Sequence, residues 1–246
     1  PIYKDKRSRI SKNESSYNFT SARINTKNLK NFSFPSKISI CFKVPKGTGF
    51  WPAFWMLPSN NSWPCDGEID IMEQWGNNGP TNVTTGAAHV GLCPYSSSNH
   101  QYQSSSYQIN NGSFADNFHT YEIIWRSNKI EWFVDGSKFF EVDSNSFNQI
   151  YTWPFNSNQW YLILNLAITS SGPSSSTVFP NQIEIDYVRV YEEMVAVSGC
   201  TDSLAFNYNP NATVGDSSCE YQVTFNLDMS TYPSSFTNPE IGGTFN

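Results

Sequence analysis

The chain has 246 residues, enough for one large β domain plus something small. Charged residues make up only 15% of it, against about a quarter in ordinary soluble domains, and aromatics reach 16%. A net charge of −6 argues against nucleic acid or another polyanion as partner, and no apolar run approaches the roughly 20 residues of a membrane span.

Pro1 leads directly into charged sequence without a leader pattern, and the other end stops within a strand-like run at Gly242–Asn246. The chain therefore reads as a fragment open at both ends. Ile38-Ser-Ile-Cys-Phe-Lys-Val44 alternates as a strand, which places Cys41 in a sheet as a free thiol. In Trp51-Pro-Ala-Phe-Trp-Met-Leu57, parity puts Trp51 and Trp55 on one strand face. Cys65 and Cys93 lie in loops that flank the next strand and could pair if those loops meet.

That strand, Gly67-Glu-Ile-Asp-Ile-Met-Glu-Gln-Trp-Gly76, carries Glu68, Asp70 and Glu73 in an otherwise apolar stretch. Two-residue periodicity puts Glu68 and Asp70 on one face and Glu73 on the other. One extra residue near Ile71 or Met72, a β-bulge, would return Glu73 to the face of the other two. Like charges gathered in this way oppose folding, whereas glycoside hydrolysis needs one ionised carboxylate and one protonated carboxyl. A solvated edge strand is the plainer alternative, but the apolar residues between the acids look like a sheet interior.

Further along, 91–107 is rich in Ser, Tyr and Gln, and His100 and His119 read as structural or solvent-exposed. Asp135-Gly136 joins two short aromatic strands as a hairpin. Trp160–Ile168 is a nearly continuous apolar run, hence a central strand buried on both faces. Asn165 inside it needs a polar partner, for which a sugar hydroxyl would serve. Ile183–Val190 alternates cleanly, and no stretch sustains a 3.6-residue period, so the chain reads as all-β. Stacking of pyranose C–H faces on indole makes Trp55, Trp51 and Trp75 candidates for sugar binding, with a place in the core as the alternative.

Composition changes near Val197. Cys200 and Cys219 bracket a loop-like segment and are the best disulfide candidates. Asp202, Asn207, Asn209, Asn211 and Asp216 offer hard oxygen ligands suited to calcium; a linker of Asx-turns stapled by a disulfide is an equal alternative. Tyr221–Met229 alternates like the first strand of another sandwich. The expected organisation is a catalytic domain over 1–193, a Cys-bracketed linker over 194–220 and the start of an accessory β module over 221–246.

The segments Trp51–Leu57 and Gly67–Glu73 together resemble glycoside hydrolase family 16, in particular its laminarinase branch with the bulged motif. Tyr17–Ile24, Val44–Gly47, Phe118–Tyr121, Trp132–Gly136, Leu162–Ala167 and Asp186–Tyr191 follow in the family's order. The resemblance implies a concave β-jelly-roll sandwich with a substrate cleft, and a retaining endo-β-1,3-glucanase from a secreted or cell-surface, multidomain bacterial enzyme, monomeric. It implies Glu68 as nucleophile, Glu73 as acid and base, and Asp70 as the residue holding the charge of the nucleophile. His89 matches a histidine on the adjacent strand, and Arg23 would reach the cleft from the opposite side. No cofactor is implied for catalysis, but Asp186 matches a ligand of a structural calcium. The resemblance also implies that most of a first strand is missing upstream. The Gly-Gly-x-Trp loop common in laminarinases is replaced here by Ile168-Thr-Ser-Ser-Gly-Pro173. The cysteine-bracketed segment resembles thrombospondin type 3 repeats. A mixed-linkage glucanase, a marine galactan hydrolase and a non-catalytic lectin-like module are the alternatives. Neither Trp51–Leu57 nor 85–107 carries Lys or Arg, which favours a neutral glucan over a sulfated galactan.

Overall fold

Alternating apolar and polar residues resolve into strands that pair antiparallel throughout the first of two units, Pro1–Glu193 and Met194–Asn246. The computed structural model describes residues 3–4, 19–60, 62–76, 82–170, 172–192, 196–224 and 230. In chain order the first unit contains β1 (Tyr3–Lys4), β2 (Ala22–Asn25), β3 (Ser36–Lys43), β4 (Phe50–Pro58), β5 (Glu68–Glu73) and β6 (Val83–Gly91). There follow β7 (His100–Gln108), β8 (His119–Trp125), β9 (Lys129–Val134), β10 (Ser137–Asp143), β11 (Trp160–Ile168) and β12 (Glu184–Glu192). The only helical elements among the described residues are short 3-10 turns at Ser144–Ser146 and Pro154–Asn156.

The strands form a seven-stranded sheet, β1-β2-β11-β4-β5-β6-β7, facing a five-stranded sheet, β10-β9-β8-β3-β12. This is the expected all-β jelly-roll sandwich. Asp135 and Gly136 both have positive φ, 48° and 78°, so the β9–β10 hairpin turns in the hand that suits twisted strands. The core between the sheets holds Ile38, Ile40 and Phe42 of β3, Phe54 and Met56 of β4, and the fully buried Trp125, Trp132 and Trp160. Each of these three indoles donates its N–H to a backbone carbonyl, of Phe155 (2.9 Å), Asp70 (2.8 Å) and Ser157 (3.1 Å), so none carries the 1–3 kcal/mol or so of an unmade buried bond. β11 is buried over Trp160–Leu164, but its second half is only half-buried, so the run is not covered on both faces along its whole length.

Cys65 pairs with Cys93 and Cys200 with Cys219, leaving Cys41 free and half-buried in β3. In the second unit, β13 (Ser198–Gly199) and β14 (Val214–Gly215) pair in parallel. Several of the oxygens considered above for calcium accept local hydrogen bonds. Asp202 accepts from Leu204 N and Tyr221 Oη, Asn209 from Asn211 N, and Asp216 from Ser218 N and Ser198 Oγ. These are the local bonds of Asx-turns. Tyr221–Thr224 forms no strand, and the remainder of the expected accessory strand, 225–229, lies outside the described residues.

Gly86 makes one close approach that the fold requires. A Cβ at Gly86 would lie 2.5 Å from Trp132 Cδ1, so only glycine lets the buried indole slide under β6 to reach the Asp70 carbonyl. Gly86→Ala is expected to destabilise the domain by about 1–3 kcal/mol through overpacking. Chemical denaturation of the two proteins checks this; equal midpoints would show that the indole can give way.

Candidate active site

β5 is where the pairing register breaks. Against β4, Met72 faces Phe54 and Asp70 faces Trp55, so Ile71 is the extra residue; against β6 the shift falls between Asp70 and Glu73. Ile69, Ile71 and Met72 are consequently all buried in the core. Glu68, Asp70 and Glu73 are left together on the outer face of the larger sheet. The Trp132 N–H holds the Asp70 carbonyl beside the bulge from the facing sheet.

The register lays out three rows across that face. Glu68 lies beside His89 and then Tyr102; Trp55 beside Asp70, Ala87 and Ser104; and Arg23 beside Asn165, Ala53, Glu73, Thr85 and Ser106. Asp70 is only 3% exposed, and its carboxyl hydrogen-bonds that of Glu68. His89 Nε2 stands 2.9 Å from Asp70 Oδ2, an oxygen that receives no well-aligned hydrogen bond. His89 Nδ1 meets His100 Nε2 at 3.0 Å. Trp51 donates from Nε1 to Glu73 Oε1 at 2.9 Å, and its ring lies 3.9 Å from that of the half-exposed Trp75.

Burial dominates the electrostatics. It pushes Glu68 up to about 8, with the Asp70 charge adding to the rise and His89 opposing it. Burial likewise raises Asp70 to about 7, which the hydrogen bond from Glu68 resists. Glu73 rises to about 8 through burial and then Asp70, while the Trp51 N–H pulls it down. Burial lowers His89 below its usual value against the pull of Glu68 and Glu73. The cluster therefore keeps protons at neutral pH, as a site that must donate one requires.

The substrate-binding candidates divide by position. Trp55, Trp51, Trp75, His89 and Arg23 all stand on or beside this face; the Arg23 guanidinium lies 4.9 Å above the Trp55 ring. Asn165 differs from expectation. Its Oδ1 accepts from Trp55 Nε1 at 2.7 Å and its Nδ2 donates to the Trp51 carbonyl at 3.2 Å, so its polar atoms already have protein partners. In this way it orients the two tryptophans. His119 is structural, with Nδ1 2.7 Å from Asp135 Oδ2. His100, read above as structural or exposed, is half-buried and touches His89. Strand parity with Tyr102 would have put it on this face, but only the length of the β6–β7 connection sets the register that brings it there. Trp63 and Tyr95, packed at 4.9 Å, join His100 and had no periodic signal because they sit in loops.

Asp186 is exposed, at the register shift in β12, and among the described residues no group of three His, Cys, Asp or Glu ligands includes it. Among the described residues no cluster of three such side chains supports the calcium expected at Asp186. The one such group that could hold a cation is Glu68, Asp70 and His89, whose ligand atoms lie within 4.8 Å of one another. Proton sharing between carboxyls accounts for that cluster as it stands.

A family model for glycosyl hydrolases family 16 matches residues 3–189. The chain is 33% identical to glucan endo-1,3-beta-glucosidase A1 of Niallia circulans, over 71% of this chain and 26% of that protein. It is 33% identical to a beta-glucanase of Rhodothermus marinus, over 70% of this chain and 62% of that one. The chain thus spans less than two thirds of either relative. Among solved structures, the endo-beta-1,3-glucanase of Pyrococcus furiosus aligns with a TM-score of 0.61 at 38% identity, covering 70% of this chain and 66% of that one.

Two outcomes follow from the raised carboxyls. Glu68 and Glu73 move from 4.5 to about 8 on folding, so the native site binds protons that the unfolded chain releases. Their stabilising contribution is complete below about pH 4.5 and is lost as pH rises through about 8. Glu68→Gln should accordingly be more stable than the parent at pH 8 by about 1–3 kcal/mol, with a smaller gain at pH 5. Denaturation at the two pH values decides it, and a pH-independent difference contradicts it. Trp51→Phe removes the N–H that favours ionised Glu73. The alkaline limb of kcat/KM should then move to higher pH; a limb that stays put or moves down would separate Trp51 from the acid.

Proposed function

Because the chain belongs to glycosyl hydrolases family 16, we propose that it is a retaining, endo-acting hydrolase of β-1,3-glucan. The observation that carries this reading is the bulge at Ile71, which puts Glu68, Asp70 and Glu73 on one face, recessed and still holding protons.

In the reaction, the Glu68 proton passes to Asp70 along their hydrogen bond, leaving Glu68 charged beside the anomeric carbon. Its oxygen attacks that carbon as the glycosidic C–O bond breaks, and Glu73 gives its proton to the departing oxygen. The product of this half is a glycosyl ester of Glu68. Glu73, now ionised, takes a proton from water, whose oxygen displaces Glu68 from the anomeric carbon and retains the configuration. Asp70 acts in both halves as the neighbour that holds the proton while Glu68 is charged; with Asp70 at about 7 and Glu68 at about 8, that transfer is slightly uphill and is drawn on by bond formation to the anomeric carbon.

Substrate class follows from the surroundings. The β6–β7 side contributes no Lys or Arg, and among the described residues Arg23 and Lys27, in and just after β2, lie over the rings of Trp55 and Tyr161. Aromatic faces and a scarcity of free cations suit a neutral glucan better than a sulfated one. Two disulfides fit folding outside the cytoplasm, and secretion is part of this proposal. Among the described residues no helix is long and apolar enough to cross a membrane.

Product profiles on laminarin, lichenan and agarose test the assignment, with laminarin degraded fastest to oligosaccharides. Glu68→Gln should lower kcat by at least about 10³-fold while leaving glucan binding. Glu73→Gln should lose far more on natural glucan than on aryl glycosides with good leaving groups, which need no proton. Equal loss on both would remove Glu73 from the acid role, and release of galactan products alone would overturn the substrate.

A further inference from the structure

Beyond the carboxylates, the outer face continues onto β7 and the disulfide-tied loops beside it. Tyr102 is 57% exposed and Tyr95 52% exposed, and exposed tyrosines scattered singly would need no explanation. These two are not single. Tyr102 stacks on His89 (5.3 Å, 25°) and lies 6.0 Å from His100, which packs 5.0 Å from Trp63; Trp63 in turn backs Tyr95 at 4.9 Å. The Cys65–Cys93 bond ties together the two loops that carry Trp63 and Tyr95. Asn99 braces the second loop, accepting from Ser96 N and donating to the Pro94 carbonyl, both at 2.7 Å. The rings are thus held in place before any ligand arrives, which reduces the entropy cost of binding.

The cluster is continuous with the catalytic row. Tyr102 is the β7 partner of His89, itself the β6 partner of Glu68, so it sits two strand spacings, about 10 Å, from the nucleophile. A chain of a few sugars covers that distance. Ser104 and Ser106 follow Tyr102 on the same exposed face and offer hydroxyls beside the rings, and 85–107 contains no Lys or Arg.

We propose that Tyr102 and Tyr95, backed by His100 and Trp63, form a distal stacking platform for a neutral pyranose of the polysaccharide, remote from the bond being cleaved. The platform rests on the hydrolytic reading for its connection to turnover, but its binding role is separable from that reading. It grips long chains and is out of reach of the shortest ones. It makes the protein selective for polymer over oligosaccharide.

The test uses Tyr102→Ala and Tyr95→Ala, singly and together, in the full chain. Both side chains are half-exposed, so thermal melting should confirm folded protein. The ratio of kcat/KM on laminarin to that on the shortest laminari-oligosaccharide cleaved is expected to fall about three- to tenfold in the double variant. The same pair of substitutions in a Glu68→Gln background should weaken laminarin binding by a similar factor in calorimetry. An unchanged ratio with unchanged binding overturns the platform, as does equal loss on long and short substrates. Tyrosine-dependent binding without hydrolysis of laminarin by the parent chain would uphold the platform and sink the glucanase reading instead.

Discussion

Three carboxyl groups buried on one strand face form an arrangement that folding opposes and the rest of the domain is built to support. In water the charges would separate; here β5 lies in the middle of a seven-stranded sheet and cannot move away from its neighbours. Two devices make the arrangement tenable. One is geometric: the extra residue at Ile71 sends Ile71 and Met72 both into the core, which anchors the bulge with apolar contacts. The other is chemical: burial raises every carboxyl until the cluster holds protons and not three charges. Both devices suit the proposed reaction, since the first sets the positions of the acids and the second leaves a proton to donate.

The surrounding residues act mainly as positioners. Trp132 crosses the core from the smaller sheet to hold the Asp70 carbonyl, and Gly86 leaves room for it. Asn165 holds Trp55 by its indole nitrogen and Trp51 by its carbonyl, and Trp51 in turn touches Glu73. A substitution at Asn165 would therefore reach the acid through two tryptophans without direct contact. Cores transmit such shifts because their side chains are close-packed.

Much of this was legible in the sequence, for identifiable physical reasons. The spacing of Glu68, Asp70 and Glu73 demanded a bulge, because period-two geometry leaves no other way to unite them. Strand parity placed Trp51 and Trp55 together, and Asp135-Gly136 specified its turn. What escaped were features set by register and loops. His100 depends on how far the β6–β7 connection offsets two strands, which no local pattern encodes. Trp63 and Tyr95 lie in loops with no period at all. Asn165 was read as needing a partner, and the neighbouring Trp55 indole supplies one, a contact that only packing reveals. Asp202 and Asp216 illustrate the same ambiguity, since Asx-turns and cation sites draw on the same residue types.

The central claim is that the bulge divides the labour between Glu68, which bonds to the sugar, and Glu73, which handles the proton. The most direct measurement is covalent trapping with a 2-deoxy-2-fluoro laminaribiosyl glycoside bearing a good leaving group, followed by peptide mass spectrometry. The account predicts one glycosyl adduct per chain, on Glu68 within the peptide spanning β5. An adduct on Glu73, or inversion of configuration with no adduct at all, would contradict it.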